Sequence, residues 1–254
     1  MIDEKKVIAI AGSGGGGGKG KGGGDEPANT LRSNARARIV DLISEGPIEG
    51  LVDGEKSIYY DETPIKGLDG SYNIKGVTSA QRFGTPDQTH LNNVPTVDTP
   101  VSVEVRVKQN EAAPIRTIVN ESADAVRVIM RIPALLKRNK KTGEIEPTSV
   151  NYAIDVRPSG GTWTEVVNQN IVNQKTSSPY QKAHYIPLPF GGAPWDIRVR
   201  RITVDSTTTD LQNETWWEAY FILVEGKFIY PNSALVYTQV DAEKFGQKIP
   251  QRYY

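Results

Sequence analysis

Period-two alternation of apolar and polar residues constrains this chain more than any other feature. Valines occupy every second position from Val101 to Val107, with polar or charged side chains between them. This period indicates a strand with one buried face, because successive side chains of a strand point to opposite faces. Further short strand-like segments follow at 125–132, 150–157, 162–167, 184–188, 195–203 and 218–225. Seven such strands over about 125 residues predict an immunoglobulin- or fibronectin-III-like β-sandwich, with Trp163 and Trp195 in its core.

The segments on either side of the predicted sandwich also have strand character. Residues 35–43 fit a strand or a short helix equally well. Residues 51–60 read as a strand, an Asp-Gly turn and a second strand. Residues 227–240 are again strand-like, and we expect them to return to the sheet begun around residues 39–65. The sandwich is therefore predicted to be an insertion in a split β domain, and the fold class is mainly β.

A glycine-rich segment precedes these strands. Ten of the thirteen residues from Gly12 to Gly24 are glycine, which predicts a flexible arm because glycine loses the most backbone entropy on ordering. A phosphate-binding loop ending at Lys19 is disfavoured, because Ser13 replaces its first glycine and Gly20 replaces its hydroxyl residue. The predicted division is an arm over 1–30, the first part of the split domain over 31–98, the inserted sandwich over 99–226 and the return over 227–254.

Composition disfavours several kinds of site. The chain has no cysteine, so disulfides, thiol catalysis and cysteine–metal sites are excluded. Only His90 and His184 are present, and they are far apart in sequence, so no metal site or cofactor is predicted. Thirty basic and thirty acidic residues cancel, which disfavours specific nucleic-acid binding. No apolar run approaches the about 20 residues that span a bilayer. The apolar run Val7–Ala11 is too short for a signal peptide, so we expect assembly in a cytoplasm.

The segment Ser44–Gly50 combines two acidic residues with turn-forming residues. Gly46, Pro47, Gly50 and Gly54 are predicted to shape structural turns in and just after it.

Two interpretations of the carboxylates in and near this segment are possible, one catalytic and one structural. Glu45, Glu49 and Asp53 are the candidates by spacing for a glycan hydrolase, which needs two carboxylates roughly 5–10 Å apart in one cleft. Acidic residues beside tight turns are commonplace, however, so we predict no catalytic residue and no enzyme.

Three arginines in the predicted strand 195–203 form a second candidate site. Arg198 and Arg200 share one strand face, opposite Ile197 and Val199, and Arg201 follows directly. A solvated face is one interpretation, and an interface with an acidic partner surface is the other.

Several sequence blocks occur in an order that points to one family. They are Ile43–Gly50, Val52-Asp53-Gly54, Lys56-Ser57, Thr63-Pro64, Trp195–Arg201, Asp205–Asn213, Tyr230–Val236 and Gln239–Gly246. These blocks resemble the N-terminal region of the lambda-like siphophage tail tip attachment protein J family, the central tail hub proteins. Members of that family are several times longer and end in receptor-binding domains, so receptor recognition does not carry over to these residues.

The resemblance implies a structural component of a phage tail tip in the virion. It would be the N-terminal part of a trimeric central hub, with a tail-tube-like split domain, that caps the tail tube and helps to organise host attachment and DNA delivery. The implied partners are two further copies, other tail tip proteins and the tail tube, with the tape measure protein as a further candidate. Glu45, Glu49, Arg198, Arg200 and Arg201 become candidate subunit contacts. The alternative function is a fibronectin-like adhesion module outside a tail hub.

Overall fold

A computed structural model describes residues 28–31, 36–74, 76–92, 94–189, 192–241, 245 and 250–254. These residues form seventeen β-strands and one short 3-10 helix, Gly54–Ser57. In chain order the strands are β1 (Arg36–Glu45), β2 (Tyr59–Tyr60), β3 (Thr63–Pro64), β4 (Thr78–Phe83), β5 (Pro95–Val107), β6 (Ile115–Ile118), β7 (Ala125–Ile132), β8 (Leu136–Arg138), β9 (Ile145–Glu146), β10 (Thr148–Pro158), β11 (Thr164–Gln174), β12 (Tyr180–Pro187), β13 (Trp195–Arg201), β14 (Leu211–Gln212), β15 (Thr215–Glu225), β16 (Ser233–Asp241) and β17 (Arg252–Tyr253).

The chain from β5 to β15 forms a sandwich of two four-stranded antiparallel sheets. Their strand orders are β11-β10-β13-β6 and β12-β7-β15-β5. Alternate residues of each strand face the shared core, as along β7, where Val126, Val128 and Met130 are buried and the residues between them are half-buried. Trp217 and Tyr152 are fully buried in the same core. Burial of each such large side chain contributes about 1.5–3 kcal/mol, so the alternating pattern itself holds the two sheets together.

Each strand segment predicted from alternation overlaps an observed strand, but the prediction for Trp163 is wrong. Trp195 is buried in the core as expected. Trp163 precedes β11 and is half-buried on the outer face, where its ring packs against the guanidinium groups of Arg157 and Arg198. Aromatic character alone does not distinguish a core residue from one that stacks on arginines.

The strands before β5 and after β15 form two three-stranded sheets, and β14, β8 and β9 form a third within the inserted segment. Residues 36–83 supply β1 to β4, whereas residues 233–253 supply β16 and β17. Strand β16 lies between β1 and β4 in one sheet, and β2 lies between β17 and β3 in the other. Ile58, Tyr60 and Val236 belong to the apolar core that these elements share. The sequence stretches before and after the sandwich are therefore hydrogen-bonded to each other.

Two local features differ from expectation. Residues 51–60 were predicted to form two strands joined by a turn, but the 3-10 helix Gly54–Ser57 replaces the turn and only β2 forms a strand there. The ambiguous segment 35–43 contains β1, because its long-range pairing with β16 provides hydrogen bonds that a helix would replace.

The predicted flexible arm lies almost entirely outside the described residues. Its last residues, 28–30, are described, and Asn29 and Thr30 contact the sandwich. Thr30 N donates to the carbonyl oxygen of Lys175 at 2.8 Å, and Lys175 N donates to Thr30 Oγ1 at 2.8 Å. Asn29 Oδ1 accepts from Ser177 N at 3.0 Å, and Leu31 packs against the sandwich core. The chain is thus anchored to the sandwich before it enters β1.

Candidate subunit-contact surfaces

The segment Ser44–Gly50 forms a corner beside two other parts of the chain. Gly46 N donates to the carbonyl oxygen of Asn232 at 2.6 Å, and Ile48 N donates to the carbonyl oxygen of Phe83 at 2.8 Å. Because these partners lie about 35 and 185 residues away in sequence, the corner depends on the tertiary fold.

Glycines give this corner its shape. Gly46, Gly50 and Gly54 have φ of +86°, +134° and +59°. Other residues rarely adopt this region of backbone space without strain. Pro47 follows Gly46 and is exposed. Gly46 lies at a bend, Pro47 and Gly50 lie in the loop that follows it, and Gly54 begins the 3-10 helix. Their role as structural turns stays a prediction.

A buried glutamine that sequence reasoning missed connects the same corner. Gln88 Oε1 accepts from Gly84 N at 2.8 Å, and its amide Nε2 donates to the carbonyl oxygens of Ser233 at 2.9 Å and Tyr230 at 2.5 Å. Gly84 lies so close to the corner that a Cβ there would be 2.5 Å from Gly46 O. Gln88 lies in a loop without periodicity, so no sequence signal marks it.

Glu45 and Glu49 lie at the surface of the corner. Both side chains are exposed, and within the described residues neither forms an ion pair. The geometry presents two accessible carboxylates, one at the end of β1 and one in the loop that follows.

Arg198 and Arg200 share a buried carboxylate on the outer face of β10 and β13. Arg198 Nε and Arg200 Nε each donate to Asp155 Oδ2 at 2.6 Å, and Arg200 Nη2 donates to Oδ1 at 2.8 Å. The Asp155 side chain is only 2% exposed, whereas the arginines are 27% and 34% exposed. Burial alone would raise the pKa of Asp155, but the hydrogen bonds from Arg200 and Arg198 outweigh it and hold the pKa below its ordinary value.

A second ion pair extends this outer face. Arg157 Nε donates to Asp196 Oδ2 at 3.0 Å, and Thr117 Oγ1 donates to Asp196 Oδ1 at 2.8 Å. The guanidinium carbons of Arg157 and Arg198 lie 4.2 and 4.3 Å from the ring centroid of Trp163. These charges are largely neutralised within the domain, so the face is an ordered, half-exposed surface rather than an unpaired cationic patch.

Arg201 differs from the expectation of a subunit contact. Its side chain is 1% exposed and lies on the same strand face as Ile197 and Val199, which belong to the core. Its Nη1 donates to Asn213 O and Thr215 Oγ1, both at 2.6 Å. Because its guanidinium is buried and hydrogen-bonded inside the domain, Arg201 is not placed to contact a partner directly.

The described residues offer little for metal binding or membrane insertion. They contain no group of three or more His, Asp or Glu side chains arranged to hold a metal ion. Within those same residues, no helix has the length and apolar character needed to cross a bilayer.

A protein-family model matches the part of the chain that forms the sandwich. The family model described as "Tip attachment protein J, FNIII-A domain" matches residues 97–225, which is half of the chain and runs from β5 to β15. The chain belongs to the tip attachment protein J family. The prediction of a mainly β chain with a fibronectin-III-like sandwich is thereby confirmed. That the flanking strands form a tail-tube-like hub domain stays a prediction.

Two curated members of the tip attachment protein J family extend the match beyond the sandwich. The protein of Escherichia phage SECphi27 is 31% identical over 219 residues, which cover 82% of this chain. The protein of Escherichia phage SECphi4 is 32% identical over 230 residues, which cover 89% of this chain. The chain spans about a fifth of the length of these relatives, 18% and 20% respectively.

Solved structures add no functional argument. The family 22 carbohydrate binding module of Clostridium thermocellum Xyn10B is similar at 10% identity, with 57% of this chain and 98% of that chain covered. Its TM-score is 0.27.

Proposed function

We propose that this chain is the N-terminal part of the trimeric central hub at the end of a siphophage tail. The hub would cap the tail tube and help to organise host attachment and DNA delivery, in contact with other tail tip proteins and with the tape measure protein as a further candidate partner. DNA would pass through it without specific binding. Membership of the tip attachment protein J family is the observation that carries this proposal.

The strand order supports a split hub domain. Strands β1 and β4 precede the sandwich and β16 follows it, yet all three share one sheet in which Arg36 pairs with Asp241. A domain whose two halves flank an insertion produces this pairing, because the inserted chain leaves and returns at neighbouring strands. The sandwich would then project from the hub domain.

Open sheet edges support self-association. In the described residues, β1 and β4 are the outer strands of their sheet and pair only with β16. Val40 and Leu42 on β1 are apolar yet 41% and 62% exposed. Edge strands with exposed apolar residues readily pair with another chain. We propose that β1, with Glu45 and Glu49 at its end, contacts the next copy, and that Arg198 and Arg200 contact a neighbour on the sandwich side.

This function needs no chemical step. Glu45, Glu49 and Asp53, the candidates by spacing for hydrolysis, are all exposed. We propose no catalytic residue and no cofactor for this part of the protein. An adhesion module outside a tail hub remains the alternative, but relatives named tip attachment protein J align with more than four-fifths of the chain and not with the sandwich alone.

Imaging of a labelled particle tests the proposal. The turn between β8 and β9 is exposed at Lys141 and Thr142, so a short peptide tag inserted there should leave both sandwich sheets intact. A Fab fragment against the tag should decorate the end of the tail with three copies. Label along the tail tube, on the capsid or absent from purified particles would contradict the proposed function.

A further inference from the structure

Two loops of the flanking domain each contain an aliphatic residue followed by Asp-Gly. Residues 52–54 are Val-Asp-Gly and residues 68–70 are Leu-Asp-Gly. Both glycines have positive φ, +59° and +83°. The valine and leucine are 97% and 93% exposed, and no other large apolar side chain among the described residues exceeds 74%. Single exposed aliphatic residues are ordinary, but these two match in sequence, backbone geometry and exposure.

The two loops are fixed to each other. Lys56 Nζ donates to the carbonyl oxygen of Leu68 at 3.2 Å. Lys66 Nζ donates to Glu55 Oε2 at 2.9 Å, and Ser79 Oγ donates to Glu55 Oε1 at 2.6 Å. The hydrogen bond from Ser79 and the ion pair with Lys66 hold the pKa of Glu55 below its ordinary value, against the effect of burial. A preorganised pair of loops loses little conformational entropy when a partner binds.

The surrounding charge indicates the chemistry of that partner. Residues 52–72, which contain both loops, have five acidic residues and two lysines, a net charge of −3 in a chain whose total is zero. Both lysines, Lys56 and Lys66, are engaged within the loops. Asp53 and Asp69 directly follow the two exposed aliphatic residues and are themselves exposed. A surface of this sign attracts a cationic one and repels the same surface of another copy.

We propose that residues 52–54 and 68–70 form a docking surface for a different protein of the tail tip, one that offers an apolar socket rimmed by lysine and arginine. Val52 and Leu68 fill the socket, and Asp53 and Asp69 pair with the basic rim. The identity of the partner as a tail protein rests on the proposed function. The side chains of Val52 and Leu68 supply apolar contact area, and the two carboxylates favour a partner surface of positive charge.

Photo-crosslinking in assembled tails tests this surface. Leu68 is replaced by p-benzoylphenylalanine in the full-length protein, and purified tails are irradiated and digested for mass spectrometry. The expected product joins residue 68 to a peptide of a different tail protein that contains apolar residues beside Lys or Arg. The matched control is the same replacement at Val119, which is 74% exposed on the sandwich and should not give that product.

The other outcomes overturn the inference in distinguishable ways. A crosslink only to other copies of this chain, a crosslink to an acidic peptide, or no crosslink would each refute the docking surface. In those cases an immunoblot still detects the protein in purified tails, so the proposed function stands. If the immunoblot does not detect the protein in purified tails, the proposed function itself is contradicted, and the docking surface with it.

Charge reversal provides the second measurement. The double variant Asp53→Lys/Asp69→Lys should reduce the crosslinked product from residue 68 by about tenfold, because the rim then repels its partner. The control double variant Asp87→Lys/Glu121→Lys makes the same change in total charge at exposed positions outside the docking surface. An equal reduction in the control would mean that only net charge matters and would refute the docking surface.

Discussion

At the residue scale, residues that are adjacent in sequence can differ completely in burial. Arg200 and Arg201 are consecutive, yet the first lies on the half-exposed outer face and the second is buried in the sandwich. Strand geometry explains the difference, because Arg201 has the same parity as the core residues Ile197 and Val199. A buried guanidinium is tolerated here because Asn213, Thr215 and Asp205 accept its hydrogen bonds or ion pair.

Glycine at position 84 is required by a close contact and not only by its backbone conformation. Gly84 has φ +81°, and its Cβ would lie 2.5 Å from Gly46 O. Gly84→Ala is therefore expected to lower the free energy of unfolding by about 2–4 kcal/mol. Gly143 has a similar φ, +75°, with nothing within 4 Å, so Gly143→Ala should cost only about 1 kcal/mol. Urea unfolding of both variants measures the difference, and equal losses would contradict the close contact.

At the scale of elements, both outer faces of the sandwich carry arginines stacked on aromatic rings. On the β10–β13 face the ring is Trp163. On the opposite face, Arg127 lies 4.5 Å from the ring centroid of Phe221, and Arg131 lies 5.0 Å from that of Trp216. These stacks cover apolar ring surface while each guanidinium keeps carboxylate partners. The outward-facing side chains of both sheets therefore pack against each other as well as facing solvent.

Asp155 should make stability depend on acidic pH. Its lowered pKa in the folded state means that its contribution is present above the unfolded pKa of about 4 and is lost as pH falls through the folded value. Asp155→Asn should cost about 2–3 kcal/mol at pH 7, and the difference from the unsubstituted protein should shrink as the pH falls below about 4.

Urea unfolding across this pH range checks the prediction. The matched control is Asp98→Asn, which removes a 39% exposed carboxylate paired with Arg127 on the opposite face and should cost less than about 1 kcal/mol. A cost for Asp155→Asn that stays constant as pH falls would show that ionisation of this carboxyl does not contribute.

At the scale of the whole molecule, the sandwich and the flanking sheets are joined by more than two linkers. Asn29–Leu31 contact Lys175 and Ser177 before the chain enters β1. Arg38 of β1 lies 5.7 Å from the ring centroid of Tyr185 in β12 and donates to Gln239 of β16. Contacts of this kind set the direction in which the sandwich leaves the flanking domain.

Self-association through β1 has a direct test. Leu42→Lys removes an apolar side chain that is 62% exposed, so folding should be unaffected while the trimer dissociates at least about tenfold more readily. Val172→Lys is the control, because Val172 is 57% exposed on β11, the outer strand of a sandwich sheet. Mass photometry over a dilution series measures the trimer fraction. A trimer equally stable in both variants, or a monomer in the unsubstituted protein at high concentration, would contradict the proposed interface.

The sequence by itself determined the strands of the sandwich, the turns at Gly46 and Gly50 and the family resemblance. These features are local, since a period of two and a glycine in a turn depend only on neighbouring residues. Parity along the strand also places Arg201 on the inward face, together with Ile197 and Val199.

Only the tertiary structure decided which polar and aromatic residues lie inside, outside or at a junction. Trp163 is on the surface because Arg157 and Arg198 meet it across strands, and Gln88 is buried because segments near residues 46, 84 and 232 converge on it. Contacts between different strands and loops leave no local trace in the sequence, since their partners are set by sheet pairing and packing and not by neighbouring residues.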